Sequence, residues 1–313
     1  MKIAIMIPCY NEQQTIKKVI TDYKSVLPNA DIYVYDNNST DNTAEIAAKA
    51  GAIVRYEYRQ GKGNVIRTMF RDVDADCYLI VDGDDTYPAE NAGEMCQLII
   101  DGKADMVIED RLSSTYFEQN KRIFHNFGNE LVCKSINFIW HKNIKDVMTG
   151  YRAFSPMFVK TFPILSKGFE IETEMTIHAV YNQLQIDNVI VDYRDRPEGS
   201  VSKLNTYADG FRVLGTIFRL YRDYKPFGFF SLFALLLAVV SVLFFIPVLA
   251  EYFATGLVLK FPTLIVCGFV MLAAIQSFFA GLMLSNSAQK NRRDFEYRYT
   301  LVCEKELRQR EEK

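Results

Sequence analysis

The chain has 313 residues, of which 49% are hydrophobic and 24% are charged, and its formal net charge at pH 7 is −2. This composition argues against intrinsic disorder, and the near-neutral charge argues against a protein that binds nucleic acid through a broad basic surface. The six cysteines lack C-x-x-C spacing and the three histidines lack metal-ligand spacing, so neither a zinc centre nor a histidine-based nucleophile is expected. We expect the cysteines to be reduced thiols facing a cytosolic environment, and the histidines to have surface or interface roles.

The N-terminal part of the chain alternates short apolar strands with helical patterns, beginning with a strand at residues 3–7. The apolar core of this first segment is too short for a cleavable signal sequence, and it turns polar at Asn11 and Glu12. Further strands are predicted at residues 31–35, 54–58, 77–81 and 104–108, and helices at 12–26, from about 41 to 50 and from 61 onward. This alternation predicts a Rossmann-like, three-layer α/β domain with a mostly parallel sheet.

Polar residues gather after successive predicted strands, at residues 10–12, 36–41 and 82–85 and at Arg111. In open α/β sheets, ligands bind in the crevice at the carboxyl ends of the strands. We therefore expect these four clusters to converge on one site.

The stretch LIVDGDDT, residues 79–86, brings Asp82, Asp84 and Asp85 together at the end of a predicted buried strand. Like charges this close repel, and a divalent cation between them relieves the repulsion. Mg²⁺ and Mn²⁺ prefer oxygen ligands and commonly bind together with phosphates. A bare D-x-D motif is also frequent as a solvated acidic turn, here with Asp85 as a helix cap. The clusters at the neighbouring strand ends favour the cation site.

Two long uncharged segments lie near the C-terminus, 24 residues from 227 to 250 and 29 residues from 261 to 289. Each exceeds the roughly 20 residues that span a bilayer core, so we predict a transmembrane hairpin rather than two buried core helices. Basic residues flank the pair, whereas the ten-residue link carries one lysine and one glutamate. By the positive-inside rule both ends lie in the cytoplasm. Before the hairpin, Phe211, Leu214, Phe218 and Tyr221 follow the spacing of an amphipathic helix in the headgroup layer.

Six short motifs follow one another along the chain: residues 7–12 (IPCYNE), 36–43 (DNNSTDNT), 61–63 (GKG), 82–84 (DGD), 150–154 (GYRAF) and 194–204 (RDRPEGSVSKL). In this order they resemble the motifs of family 2 glycosyltransferases, which have the GT-A fold. The resemblance covers roughly residues 3–225 and extends to the polyprenyl-phosphate hexosyltransferase group, which includes dolichyl-phosphate mannose synthase and bacterial undecaprenyl-phosphate glycosyltransferases. It implies a cytoplasmic catalytic domain at 1–204, a juxtamembrane helix at 205–225, a hairpin at 226–289 with spans of about 227–250 and 261–286, and a charged cytoplasmic tail at 290–313.

The resemblance also implies a role for each residue that matches a family motif. The nucleotide sugar would be bound by Pro8, Tyr10, Glu12, Asp36, Asp82 and Arg111, and Mg²⁺ or Mn²⁺ by Asp82 and Asp84. Asp84, Arg196 and Lys203 would be catalytic, the two basic residues by neutralising the approach of one phosphate to another. Two positions depart from many relatives, which carry an aspartate at the position of Asn37 and a glutamine at that of Thr86. The base and sugar selectivity of those relatives therefore does not carry over.

The expected activity is an inverting, metal-dependent transfer of one hexose from a nucleotide sugar, UDP-glucose or a related UDP-sugar, to polyprenyl (undecaprenyl) phosphate. The reaction would occur at the cytoplasmic leaflet of a bacterial plasma membrane, with membrane lipid as a partner. Whether the protein forms a homo-oligomer is left open. An ionised lipid phosphate needs no general base. A base is required only for a sugar hydroxyl acceptor, as in polysaccharide synthesis, so the role of Glu170, Glu172 and Glu174 stays open. A catalytically idle scaffold that binds nucleotide sugars is the third alternative.

Overall fold

The computed structural model describes residues 1–110, 123–140, 144–168, 170–191, 215, 218–219 and 221–311. It divides into two compact units, Met1–Gly210 together with Tyr297–Lys313, and Phe211–Glu296. The predicted site residues Arg111, Arg196 and Lys203 lie outside the described residues. So do Phe211 and Leu214 of the predicted juxtamembrane helix.

The first unit contains a seven-stranded sheet with helices packed against it. The strands are β1 (Ile3–Cys9), β2 (Asp31–Asp36), β3 (Ile53–Tyr56), β4 (Cys77–Ile80), β5 (Met106–Asp110), β6 (Arg152–Phe154) and β7 (Ile186–Ile190). The helices are α1 (Ile16–Val26), α2 (Thr43–Lys49), α3 (Lys62–Asp72), α4 (Ala92–Ile100), α5 (Ile123–Trp140), α6 (Pro156–Thr161) and α7 (Ile171–Tyr181). A short 3₁₀ helix, Ala89–Asn91, precedes α4.

The order of the strands is β3-β2-β1-β4-β6-β5-β7, and every neighbouring pair is parallel except those that include β6. The predicted mostly parallel sheet is therefore confirmed. Central strands such as β1 are buried on both faces, which explains their continuous apolar sequence. On α1, Ile16, Val19, Ile20 and Tyr23 recur at helical spacing and form the buried side.

Two local predictions from the sequence differ from the structure. Helix α1 begins at Ile16 rather than Glu12, because Asn11 has a left-handed backbone and the Glu12 carbonyl accepts the N–H groups of Thr15 and Ile16. His178 is buried rather than at a surface, with its ring centroid 5.5 Å from that of Phe158 and 5.0 Å from that of Phe162. Burial lowers the pKa of His178 to about 4, so its ring is neutral at pH 7.

The cysteines are free thiols, and five of them are buried: Cys9, Cys77, Cys96, Cys133 and Cys267. Cys303, near the end of the chain, is half-buried. The free thiols agree with the expected reduced state.

The second unit consists mainly of two long helices, α8 (Pro226–Thr255) and the part of α9 (Phe261–Glu311) that ends at Glu296. Both are long and apolar enough to cross a membrane. Helix α9 extends beyond the predicted end of its span near residue 286, since no proline follows Pro262 to interrupt it.

Small residues line the contact between α8 and α9 at intervals of seven. Ala234, Ser241 and Val248 are buried on α8, and Cys267 and Ala274 are buried on α9. The Ser241 hydroxyl donates a 2.8 Å hydrogen bond to the Cys267 carbonyl. A seven-residue repeat of small residues lets two helices approach closely along a left-handed seam, as in membrane helix pairs.

We expect Gly281→Leu to weaken the pairing of α8 and α9. A Cβ at Gly281 would lie 2.8 Å from the Phe230 Cβ, so a leucine must push the helices apart. Overpacking of this kind costs about 1–3 kcal/mol. The thermal unfolding midpoint of the full chain in detergent measures the loss. Gly268→Leu on the same helix is the matched control, because no atom lies within 4 Å of its Cβ position; equal losses in the two variants would contradict the prediction.

Candidate active site

The carboxyl ends of β1, β2 and β4 bring the predicted acidic residues together. Cys9 at the end of β1 pairs with Asp36 at the end of β2, and the Val81 N–H donates to the Met6 carbonyl beside it. Burial raises the pKa of the Cys9 thiol well above its usual value, and the carboxylates of Glu12, Asp36, Asp82 and Asp84 raise it further. A Cβ at Gly83, between Asp82 and Asp84, would lie 2.9 Å from Cys9 Sγ and 3.5 Å from Glu12 Cγ. The clusters after β1, β2 and β4 therefore meet at the end of β1, and Arg111 of the fourth predicted cluster lies outside the described residues.

The loop after β1 is held against the loop after β2. The backbone N–H of Asn11 donates to the Ser39 hydroxyl at 2.9 Å, and that of Glu12 donates to the Thr43 hydroxyl at 2.8 Å. These contacts fix the backbone around two more predicted residues. Pro8 is half-buried within β1, and Tyr10 is exposed immediately after it.

Asp36 is buried at the end of β2, and only one of its two carboxylate oxygens accepts a hydrogen bond from the described residues. Its Oδ2 accepts a 3.1 Å hydrogen bond from the Ser39 N–H. Its Oδ1 is buried and has no hydrogen-bond donor among the described residues. A buried carboxylate oxygen without a donor is costly, so the arrangement suits a ligand that supplies an N–H or O–H group.

Asn37 uses its side-chain amide to join three segments of the site. Its Nδ2 donates to the carbonyls of Glu57 at 2.6 Å and Arg59 at 2.9 Å, and its Oδ1 accepts the Gly61 N–H at 2.8 Å. An aspartate could not donate to the two carbonyls. The amide of Asn37 thus holds the start of α3.

The three aspartates of the 82–85 stretch have different partners. Asp84 is buried, and its Oδ1 accepts the Thr86 hydroxyl at 2.7 Å and the Thr86 N–H at 3.3 Å. Asp85 has a left-handed backbone, with φ 60°, and its Oδ1 lies 2.7 Å from Lys18 Nζ on α1. Asp85 is therefore paired with α1, which leaves Asp82 and Asp84 as the acids of the site.

Asp82 forms an ion pair that the sequence analysis did not anticipate. Lys62, the first residue of α3, places its Nζ 2.6 Å from Asp82 Oδ1 and 2.8 Å from Glu172 Oε1 on α7. Burial alone would lower the pKa of Lys62, but the charges of Asp82 and Glu172 outweigh it and raise that pKa. The G-K-G motif at residues 61–63 was the only sequence signal for Lys62. Glu172 belonged to a group of acids without an assigned role.

The reversed strand β6 completes this part of the site. Because β6 is antiparallel to β4, its beginning lies at the edge where β4 ends, and Gly150 precedes it there. A Cβ at Gly150 would lie 2.6 Å from Asp82 Oδ2 and 2.8 Å from Lys62 Nζ. The Gly150 N–H donates to the Tyr87 hydroxyl at 3.1 Å. The backbone at Gly150 is thus held directly against the Asp82–Lys62 pair.

We expect Gly150→Ala to lower activity by about tenfold or more by displacing the Asp82 carboxylate, since misplacement of a positioned group by about 1 Å can cost 10²-fold. Initial rates of the hexose transfer that the family resemblance implies, compared with the thermal unfolding midpoint, separate this effect from loss of fold. Gly93→Ala in α4 is the control, since nothing lies within 4 Å of its Cβ position. Full activity of Gly150→Ala would show that close packing of the Gly150 backbone against Asp82 is not needed for activity.

The acids of the site fit a divalent cation that arrives with phosphates. Mg²⁺ is usually held by one or two carboxylates together with substrate phosphate oxygens and water. Asp82 and Asp84 offer such a pair. Within the parts of the chain that the structure describes, no group of three or more His, Cys, Asp or Glu side chains could hold a metal ion by itself. A cation held by two carboxylates takes its remaining ligands from water and phosphate oxygens.

Comparisons with known proteins place the chain in a family. Residues 4–162 match the family described as glycosyl transferase family 2. The glycosyltransferase AglJ of Haloferax volcanii is 33% identical over 230 residues, which cover 73% of this chain and 75% of the relative. A dolichyl-phosphate hexose transferase of the same organism is 28% identical over 211 residues, which cover 67% of this chain and 90% of the relative.

One solved structure with a similar fold is glucosyl-3-phosphoglycerate synthase from Mycobacterium tuberculosis, in complex with Mn²⁺, UDP and glucosyl-3-phosphoglycerate. The TM-score is 0.57 at 19% identity, and the match covers 70% of this chain and 79% of the other. At this identity the likeness concerns the fold alone, and it confirms the predicted GT-A class.

Proposed function

Because the chain belongs to glycosyl transferase family 2, we propose that it transfers one hexose from a UDP-sugar to a polyprenyl phosphate at the cytoplasmic face of a membrane. The meeting of the acidic stretches at the end of β1 carries the proposal: Asp36 pairs with Cys9 across the sheet, and Gly83, between Asp82 and Asp84, lies against Cys9 and Glu12. Two of these acids suit a cation and a diphosphate. Asp36, with its buried Oδ1, suits the nucleoside part of the donor, beside Pro8, Tyr10 and Glu12.

The donor assignment draws support from the solved relative in complex with Mn²⁺ and UDP. Mg²⁺ or Mn²⁺ would be held by Asp82 and Asp84, where it would supply positive charge to the diphosphate of the donor. The Thr86 hydroxyl donates to Asp84 Oδ1 at 2.7 Å and so fixes the orientation of this carboxylate. Undecaprenyl phosphate and UDP-glucose are the acceptor and donor that we propose to test first.

The acceptor assignment draws support from the similarity to a dolichyl-phosphate hexose transferase and from the two apolar helices. We propose that α8 and α9 form a membrane hairpin with both ends in the cytoplasm. Arg219, Arg222 and Lys225 precede it, and Lys290, Arg292 and Arg293 follow the uncharged segment. An excess of Lys and Arg at the two outer ends of the hairpin is expected when both ends lie in the cytoplasm. In a bacterium this is the inner face of the plasma membrane.

In the proposed reaction an oxygen of the ionised lipid phosphate attacks the anomeric carbon from the face opposite the nucleotide. The new carbon–oxygen bond forms as the bond to the UDP oxygen breaks, and the electron pair leaves with UDP, so the configuration inverts. The nucleophile is already charged near pH 7, so no general base is required. Arg111, Arg196 and Lys203 are proposed to neutralise the approaching lipid phosphate.

The full-length protein, purified in detergent and incubated with radiolabelled UDP-glucose, undecaprenyl phosphate and Mn²⁺, tests the proposal. The expected product is chloroform-soluble and acid-labile, and it forms only with the lipid phosphate. Transfer to a sugar hydroxyl instead would support the polysaccharide alternative. No product with any common nucleotide sugar would support the idle scaffold, and either result would overturn the proposed reaction.

A further inference from the structure

Three side chains from distant parts of the sequence form a shielded chain of charges beside the proposed donor site. Lys62 Nζ lies between Asp82 Oδ1, at 2.6 Å, and Glu172 Oε1, at 2.8 Å. The side chains of Lys62 and Glu172 are each 9% exposed, against 25% for Asp82. Charges so well shielded from water interact strongly, and an unpaired one would be costly.

The position of Lys62 creates a competition at Asp82. The ammonium already occupies one oxygen of a carboxylate that the proposed function assigns to a divalent cation. Two cations on one carboxylate repel each other, so a metal on Asp82 weakens the contact of the ammonium with that carboxylate, and the ammonium weakens the hold of Asp82 on the metal. Glu172 offers the ammonium a second carboxylate, so that Lys62 can release Asp82 without becoming a buried unpaired charge.

This inference rests on the proposed function. We propose that Lys62 is a resident cation that neutralises Asp82 in the absence of donor. Glu172 is then a positioning residue, which retains the ammonium when Asp82 binds the metal. Glu172 thus acts on the metal site through Lys62, without touching substrate. The backbone at Gly150 lies against the pair, where a Cβ would come 2.6 Å from Asp82 Oδ2 and 2.8 Å from Lys62 Nζ, and so leaves no room for a side chain there.

The surroundings of the other acids on α7 agree with a specific role for Glu172. Glu174 accepts the backbone N–H groups of Leu165, at 3.1 Å, and Ser166, at 2.9 Å, and therefore holds a loop. Glu170 is exposed at the start of the helix. Of these three acids, Glu172 is the one in ion-pair contact with Lys62.

The test measures binding of Mn²⁺ alone, without nucleotide, to the full-length protein by isothermal titration calorimetry. Glu172→Gln removes the second carboxylate and leaves the ammonium to Asp82, so Mn²⁺ affinity should fall about tenfold. Lys62→Met combined with Glu172→Gln has the same net charge at the site as the wild type but no ammonium on Asp82. Its Mn²⁺ affinity should rise above the wild-type value, by about tenfold. Glu170→Gln is the control, and its Mn²⁺ affinity should equal that of the wild type.

Each outcome bears on the inference. Unchanged affinity in Glu172→Gln overturns it and leaves the proposed function intact. A double variant that binds Mn²⁺ no better than the wild type also overturns it, because net charge alone would then explain the single variant. Wild-type protein that binds no Mn²⁺ overturns the metal assignment of the proposed function and the inference with it. If the double variant does not fold, Glu172→Asp decides, because it keeps the net charge of the site but withdraws the carboxylate from the ammonium by one methylene; Mn²⁺ affinity should fall in this variant, and an unchanged affinity overturns the inference.

Discussion

Replacing Asp84 by alanine is expected to abolish detectable sugar transfer, with a loss of at least about 10²–10³-fold. The buried carboxylate of Asp84 is one of two proposed ligands for the cation that offsets charge on the departing diphosphate. Without it, both the cation and the donor should bind more weakly. Asp84→Asn should lose transfer to a similar extent while keeping its hydrogen bonds with Thr86, and therefore its stability.

Initial rates with saturating donor, together with Mn²⁺-dependent binding of UDP, measure the effect. Asp85→Asn is the matched control, one residue away. Asp85 pairs with Lys18 outside the proposed site, and asparagine tolerates the left-handed backbone that Asp85 adopts. Asp85→Asn should keep nearly full activity. Full activity in Asp84→Ala would rule out the metal assignment.

Replacing Arg152 by methionine is expected to produce the largest loss of stability among the substitutions considered. Arg152 is 1% exposed, and its guanidinium donates to the carbonyls of Thr149 at 3.0 Å and Val147 at 2.6 Å and to the Thr176 hydroxyl at 2.8 Å. Methionine would leave these buried acceptors without their donor. The cost should be about 3–5 kcal/mol.

The thermal unfolding midpoint of the full chain in detergent reports this loss. Arg71→Met is the control, since Arg71 is an exposed residue of α3 that pairs with the adjacent Asp72. Exposed pairs of this kind contribute little to stability. Midpoints that fell equally in the two variants would show that the buried hydrogen bonds of Arg152 contribute no more than a surface charge.

The sequence predicted the parts of the fold that depend on local patterns. Alternating apolar strands and amphipathic helices indicated the parallel sheet, and polar residues after β1, β2 and β4 indicated the edge where the acids meet. The apolar segments indicated two long helices. Each of these features repeats over a short distance along the chain and reflects burial against a neighbouring layer.

Features that depend on distant contacts were not predicted. The strand β6 has only three residues, Arg152–Phe154, too few to show a period, and its reversed direction follows from its pairing with β4 and β5. The contact of Lys62 with Glu172 joins residues 110 positions apart. The separation of Asp85 from Asp84 depends on the left-handed backbone and on Lys18. His178 is buried because α7 packs against the phenylalanines of α6 and the following loop.

The uneven burial of the cysteines has a practical consequence for biophysical work on this protein. Five thiols are closed to solvent and Cys303 is partly open, so a maleimide dye added to the native protein should couple first at Cys303. A fluorophore at that one position would report on the C-terminal helix in the otherwise unaltered chain. The remaining thiols would then react only as the protein unfolds, and the rate of their labelling would measure the rate of unfolding.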